Sequence, residues 1–543
     1  MSPNQRLMVA VVLSVIFFVG YTAIFPPQQE MSDANASRTT KSSQLADSSL
    51  EQKTKAGMNK DVQTKPSGVT QDVELKEGAS TIVTTIKSDD FILKLDTLGR
   101  IASKELLDER FRDSDDLHAQ VIPPKGPKPL FIRFADERLN EAATRIPYTA
   151  SIREATLKEE PVRVTLTQKL PDITVTKELT FYKDGHYDVH IKLSKEKRYF
   201  VYVGHRPEVS KKLMAAAGAL IYTGDNVVHI IEDGEAETRQ TFTDVLLASA
   251  FDQYTATIMY KIGKDTTVFV DGNSQENPIV YFDAKPDMQF AGYIGPKEYK
   301  KLKAIDPVLT NAVEFGWFTF VAKPLFMVLL WLYDHIGNWG WAIIALTFLV
   351  RLVLYPLTYK GMVSMQKMKE IAPKVKELQQ KYKGDPQRMN AAVMELYKKH
   401  GANPLGGCLP MLLQIPVFFA IYRVLLNAVE LQGAPWILWV TDLSRMDPTF
   451  ILPILMGASM YYQQKLTPTN FTDPMQEKVM KFLPVIFTFF FVTFPSGLVL
   501  YWFVNNLFSI AQQLIINRQF QNAKDLKEHI EKKKIEKKKK SEK

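Results

Sequence analysis

The chain has 543 residues, enough for three or four domains at about 150 residues each. Apolar residues make up 46% of it but are unevenly spread: residues 26–80 hold no Phe, Trp or Tyr, whereas 339–516 consist mostly of apolar runs, which excludes a uniformly soluble protein. The single cysteine, Cys408, excludes an intrachain disulfide, and a net charge of +9 points to anionic partners, either phospholipid head groups or RNA.

The first element is an apolar run from Leu7 to Phe25, 19 residues and so about 28 Å as a helix, long enough to cross a bilayer. It carries Phe17, Phe18 and Tyr21 and ends in Pro26-Pro27 without a small-x-small cleavage site, so residues 1–25 read as an uncleaved transmembrane anchor. Arg6 places the N-terminus in the cytoplasm and sends the following chain across the membrane. Residues 26–80 are too poor in apolar side chains to offset their ordering entropy and read as a flexible periplasmic tether.

Residues 81–310 change to short alternating runs: Phe91, Leu93, Leu95; Val162, Val164, Leu166; Tyr187, Val189, Ile191, Leu193. With recurrent turn signals such as Lys183-Asp184-Gly185, they predict a large periplasmic β-sandwich. His186, His190, His205 and His229 show no metal spacing; no metal, cofactor or catalytic residue is predicted anywhere, and no phosphate-binding loop or nucleophile with base is found.

Residues 311–338 contain FGWFTFVAKPLFMVLLWLY, long enough to tempt a hydropathy count. If it spanned, the loop 360–408, with ten Lys/Arg against four Asp/Glu, would face outward, against the positive-inside rule. It is therefore expected to lie in the outer interface as an amphipathic helix broken at Lys323-Pro324. Spans are then expected at 339–359, 409–428, 450–465, 482–494 and 497–516. Together with the anchor they give a polytopic α-helical membrane protein of about six transmembrane helices, with both termini cytoplasmic. The third and fourth of these five are short for about 30 Å of hydrocarbon, which implies local thinning or a start above the inner interface.

Arg351, inside WAIIALTFLVRLVLYPLTYK, is the costly residue: it lies nine residues before Lys360, about 13 Å along a helix, beyond easy snorkelling. Thr347, Arg351 and Tyr355 fall at i, i+4, i+8, and Asn505, Ser509 and Gln512 form a second polar stripe in the last helix. With no acidic partner evident in these spans, the charge suits a water-filled cavity that the stripe could line, although helix-to-helix contacts alone would also account for the stripe. Within the 339–516 core, the loop 360–408 reads as an antiparallel helical hairpin, its second helix N-capped by Asp385 with Pro386 at the first helical position. Its methionines are either core filler or an adaptable apolar surface.

The motifs NPLGGCLP (403–410), Arg351 with YPLT (355–358), DPMQ (473–476) and FPSGLVLYW (494–502) resemble the YidC membrane-protein insertase family of Gram-negative bacteria, kin to the mitochondrial oxidase-assembly and chloroplast Albino insertases. The resemblance covers the 339–516 core in order and spacing. It implies insertion and folding of inner-membrane proteins, alone or beside the Sec translocon. It further implies that Arg351 is the charge of a hydrophilic groove, with Thr347, Tyr501 and Trp502 along the client path. Two rivals stand beside it: a small-anion transporter or channel using Arg351, although 339–516 shows no internal repeat, and an envelope scaffold whose β-sandwich binds a ligand. The basic tail, 517–543, has eleven Lys/Arg against five Asp/Glu and suits either ribosomal RNA or anionic phospholipid. The expected partners are thus nascent membrane proteins, the ribosome, the Sec translocon and anionic phospholipids.

Overall fold

The structure is a computed structural model describing residues 80–541, apart from 113–116, 210–215, 317–318, 402–403 and 467–473. The expected anchor and all but the last residue of the tether lie outside the described residues, as do the side chains of 404–413, 474–480 and 523–541.

The periplasmic domain is built from alternation. In Val162–Leu170 and Ile173–Phe181, joined by a two-residue turn in which Asp172 has φ 69°, every second side chain is buried. Gly185, at φ 91°, turns the chain again into His186–Leu193, putting Val189 and Ile191 on the same face. These strands belong to a nine-stranded antiparallel sheet, which also holds Val228–Glu232, Gly218–Thr223, Val245–Phe251, Thr255–Tyr260 and Asp287–Pro296. A four-stranded and a five-stranded sheet cover one face, and all three contribute to a single apolar core; the short helix α1 (Glu137–Arg145) packs at its edge through Leu139. The domain is thus a β-sandwich.

Two buried lysines cross between its layers. Lys104, on the four-stranded sheet, donates to the Ile294 carbonyl at 2.6 Å and that of Gly185 at 3.3 Å, with its ammonium 4.0 Å from the Phe91 ring. Lys177, on the nine-stranded sheet, donates to the carbonyls of Leu130 at 2.7 Å and Gly99 at 2.8 Å, beside the Tyr148 ring. These bonds satisfy carbonyls that apolar packing alone would leave orphaned.

The opposite face of the large sheet divides. Across Val162–Leu170, Ile173–Phe181 and His186–Leu193 it is polar and open. Across Thr255–Tyr260 and its neighbours it is apolar, so that strand is buried at every residue. There Leu247, Phe251, Ile258, Tyr260 and Tyr293 share a second core with the membrane helices. Gln253 Nε2 donates to the Leu426 carbonyl at 2.6 Å, and Val429 inserts into the sandwich core, so the two parts are docked by polar and apolar contacts together.

Among the described residues eight α-helices follow: α2 (Tyr299–Ile305), α3 (Thr319–Ile336), α4 (Trp339–Lys381), α5 (Pro386–His400), α6 (Pro404–Asn427), α7 (Ile451–Leu466), α8 (Pro474–Phe491) and α9 (Ser496–Ser541). Three differ from the sequence reading. The interfacial segment is not broken at its proline: α3 runs through Pro324, which stands in the second turn, where only the Phe320 carbonyl loses its intrahelical donor. The helix that holds the span expected at 482–494 begins earlier, at Pro474, and ends at Phe491; its apolar part, Lys481–Phe491, is short. The 339–359 span and the first hairpin helix are one 43-residue helix, α4, continuous through Pro356 and Pro373. The hairpin closes on α5, where Asp385 accepts from the Arg388 N–H, and Gly401 adopts the left-handed conformation that ends the helix.

The ammonium groups of Lys104 and Lys177 are both held down to about 7, first of all by burial. Between that value and the ordinary lysine value of 10.5 the unfolded chain binds protons that the folded domain does not, so folding becomes more favourable as pH rises through this window. Thermal unfolding of the periplasmic domain in the detergent-solubilised protein is therefore expected to shift to higher temperature from pH 7 to pH 10. A shift in the opposite direction would show that both ammonium groups stay charged when folded.

Candidate functional site

Arg351 lies 12 residues into α4 from Trp339, about 18 Å along the axis, and is 7% exposed. In hydrocarbon its donors have no water to turn to, and α9 supplies the acceptors. Nε donates to Asn505 Oδ1 at 2.8 Å, Nη2 to Ser509 Oγ at 2.5 Å and to the Asn505 carbonyl at 3.1 Å, and Nη1 to Gln512 Oε1 at 3.4 Å. The polar stripe read from the sequence thus touches the guanidinium directly rather than facing it across open space. All these acceptors are uncharged.

A cavity of about 10 Å³ remains beside Arg351, roughly the room of one water, between α4, α6 and α9. Thr347 and Tyr501 line it, both buried; the Thr347 hydroxyl is already committed to the Ile343 carbonyl at 2.7 Å. Two expected members are elsewhere. Tyr355 is 40% exposed and lies against Tyr359, with centroids 5.9 Å apart. Trp502 turns into an aromatic cluster with Phe418 at 4.7 Å and Phe491 at 4.8 Å. Two lining residues were missed: Thr358, and Gln414 on α6, whose Nε2 donates to Asn505 Oδ1 at 3.4 Å. The signal for Gln414 was present, since it is the one amide in MLLQIPVFF.

The site is held from both ends. Towards the outer end of α9, the Ser496 and Gly497 N–H groups donate to the Arg445 and Leu443 carbonyls at 2.7 and 2.8 Å. The Asp447 carboxylate accepts from the N–H groups of Thr449 and Leu452 at 2.9 and 2.8 Å, fixing the start of α7. Deeper in, Asn506 Nδ2 donates to Ser459 Oγ at 3.1 Å, tying α9 to α7. Gly457 lets α7 meet α8 closely: a Cβ there would stand 1.7 Å from Thr488 Oγ1.

A buried arginine held by neutral side chains among long apolar helices, beneath a β-sandwich, defines an α-helical membrane protein with a polar site between its helices. Known proteins agree. The family described as "60Kd inner membrane protein" matches residues 331–524, and that described as "YidC periplasmic domain" matches 242–328. Proteins named "Membrane protein insertase YidC" are similar over nearly the whole chain. That of Wolinella succinogenes is 47% identical over 523 residues, covering 96% of each chain. That of Campylobacter jejuni is 44% identical over 519 residues, covering 95% of this chain and 96% of the relative. That of Helicobacter pylori is 43% identical, covering 96% and 97%. The chain belongs to the YidC family of membrane protein insertases.

Replacing Asn505 by Leu removes two of the side-chain contacts at the site and leaves Arg351 Nε without its acceptor in a dry surround. We expect Asn505→Leu to lower stability by roughly 1 to 3 kcal/mol in detergent unfolding. Asn505→Asp, which keeps the acceptor, should lose less.

Proposed function

We propose that Arg351, Thr347 and Tyr501, with Asn505, Ser509 and Gln512, form the surface on which a client segment is received. The observation that carries this is the pairing of a membrane-buried guanidinium with neutral acceptors only. A hydrogen bond to a charged partner is worth more than one to an amide or hydroxyl, so a client carboxylate entering the site competes successfully for Arg351. The displaced α9 side chains then accept water or client backbone, turning the closed contact into a polar groove. Desolvation of a short polar segment is the main barrier to crossing, and such a groove shortens the dry path without nucleotide chemistry. As the client's apolar residues pass to lipid, its carboxylate leaves and α9 closes again. Tyr355 and Trp502, turned away from the arginine, would meet the client at the groove's margins.

This reading includes the finer arrangement around the core. Both termini lie in the cytoplasm, and α3, although 18 residues long with a hydropathy of 1.2, lies in the outer interface, which keeps the basic hairpin inside. The insertase also assists folding as a chaperone, working alone or with the Sec translocon. The tail at 517–543 binds the ribosome during translation through clustered charge, and binds anionic phospholipid in addition. A transporter reading has no comparable support.

Arg351→Lys is expected to keep most insertion of clients with acidic translocated ends, while Arg351→Ala and Arg351→Glu lose it, the Glu variant most severely. Full insertion of such clients by Arg351→Ala would remove the electrostatic role. For the tail, deleting 524–543 should weaken binding of translating ribosomes to detergent-solubilised protein free of anionic lipid by tenfold or more. Undiminished binding would leave the tail as a lipid anchor and move ribosome contact to the hairpin.

A further inference from the structure

A second polar cavity, of about 270 Å³, lies at the other side of the membrane part, where the periplasmic domain meets the outer ends of the helices. Its wall on the sandwich side is charged and its wall on the helix side is apolar and aromatic: Leu330 and Tyr333 of α3, and Trp339 at the start of α4. Tyr333 and Trp339 stack with centroids 4.0 Å apart, as an aromatic pair does at head-group level.

The charges around it are largely spoken for. Arg110 is paired with Asp108 at 2.7 Å and with Glu298 at 2.9 Å, and Lys300 is paired with Asp334. Two opposite charges on the cavity wall are left over. Lys301 makes no ion pair or side-chain hydrogen bond among the described residues, although its charge acts through space on Asp108 and Asp184. Glu430 accepts the Tyr299 N–H at 3.0 Å through one oxygen and has no ion pair among the described residues. Burial pushes its carboxyl up to about 7, outweighing the Tyr299 N–H and the Arg110 charge, which pull it down.

We propose that this cavity binds the head group of a phosphatidylethanolamine from the outer leaflet, its phosphodiester on Lys301, its ammonium on Glu430 and its acyl end along Leu330, Tyr333 and Trp339. One unpaired cation and one unpaired acid on a shared wall match a zwitterion, whereas a purely anionic head group would leave Glu430 facing a like charge. The apolar wall selects a lipid over a soluble molecule carrying the same phosphoethanolamine group. The site is independent of the groove around Arg351, and either reading can fail without the other.

The test is retention of added lipid by the purified full-length protein, measured by native mass spectrometry in detergent with equal dioleoyl-phosphatidylethanolamine and dioleoyl-phosphatidylglycerol. The wild type is expected to retain the ethanolamine lipid at least fivefold over the glycerol lipid. Glu430→Gln, which preserves an acceptor for the Tyr299 N–H, should abolish that preference; Lys301→Met should lower retention of both lipids; and Leu330→Trp, which fills the cavity, should lower ethanolamine-lipid retention without touching either charge. Equal or greater retention of the glycerol lipid by the wild type would overturn the zwitterion assignment, and unchanged retention in all three variants would overturn the site. Displacement of the lipid by equimolar glycerophosphoethanolamine would show a soluble ligand and overturn the lipid assignment.

Discussion

A guanidinium placed in hydrocarbon has to find every acceptor within the protein, and Arg351 finds them on a single neighbouring helix. Much else in the membrane part follows from keeping that helix in place. The acceptors occupy Asn505, Ser509 and Gln512, so α9 must hold one rotation and one depth relative to α4. Its outer end is fixed by backbone bonds from Ser496 and Gly497, its middle by Asn506 on Ser459, and its aromatic flank by Trp502 against Phe418 and Phe491. Gly457 has no side chain to push α8 away from α7 at Thr488. A charge that translocon scales put at roughly 2.5 to 3.5 kcal/mol uphill thus becomes the feature around which the helices register.

The periplasmic sandwich is joined to this assembly through one half of one sheet face. Strand Thr255–Tyr260 is buried on both sides because it has two cores to serve, one within the sandwich and one, through Ala256, Ile258 and Tyr260, against the helices. Two to four strands away the same face is polar, since nothing among the described residues covers it there. The docking is specific as well as greasy: a buried amide, Gln253, reaches a helix-end carbonyl, which fixes the azimuth of the domain on the membrane part in a way that apolar contact alone does not.

The sequence carried much of this arrangement. The strands from Val162 to Leu193 were legible because each is covered on one face only and alternates cleanly, and the hairpin cap at Asp385 because capping is local chemistry. The pairing of Arg351 with the stripe on α9 was half legible: spacing identified both faces, but only packing could decide whether water stood between them. Tyr355 stands off the buried face because residues four apart on a helix are offset by about 40°, and two such steps from Thr347 carry it round. Trp502 could not share Tyr501's surroundings because successive residues point about 100° apart. Gln414 escaped because one amide in an apolar run has no periodicity to report it. The proline in α3 misled because a missing donor near a helix start costs far less than one at its centre.

One consequence belongs to mechanics rather than to chemistry. Helix α9 is continuous for 46 residues, about 69 Å, from Ser496 at the outer surface to Ser541 in the basic tail. The groups that hold Arg351 and the segment that ends in a run of lysines are therefore parts of one rod. A rod transmits twist along its length, so its two ends cannot be turned independently: whatever holds the lysines also holds the register of Asn505 and Ser509 against the guanidinium.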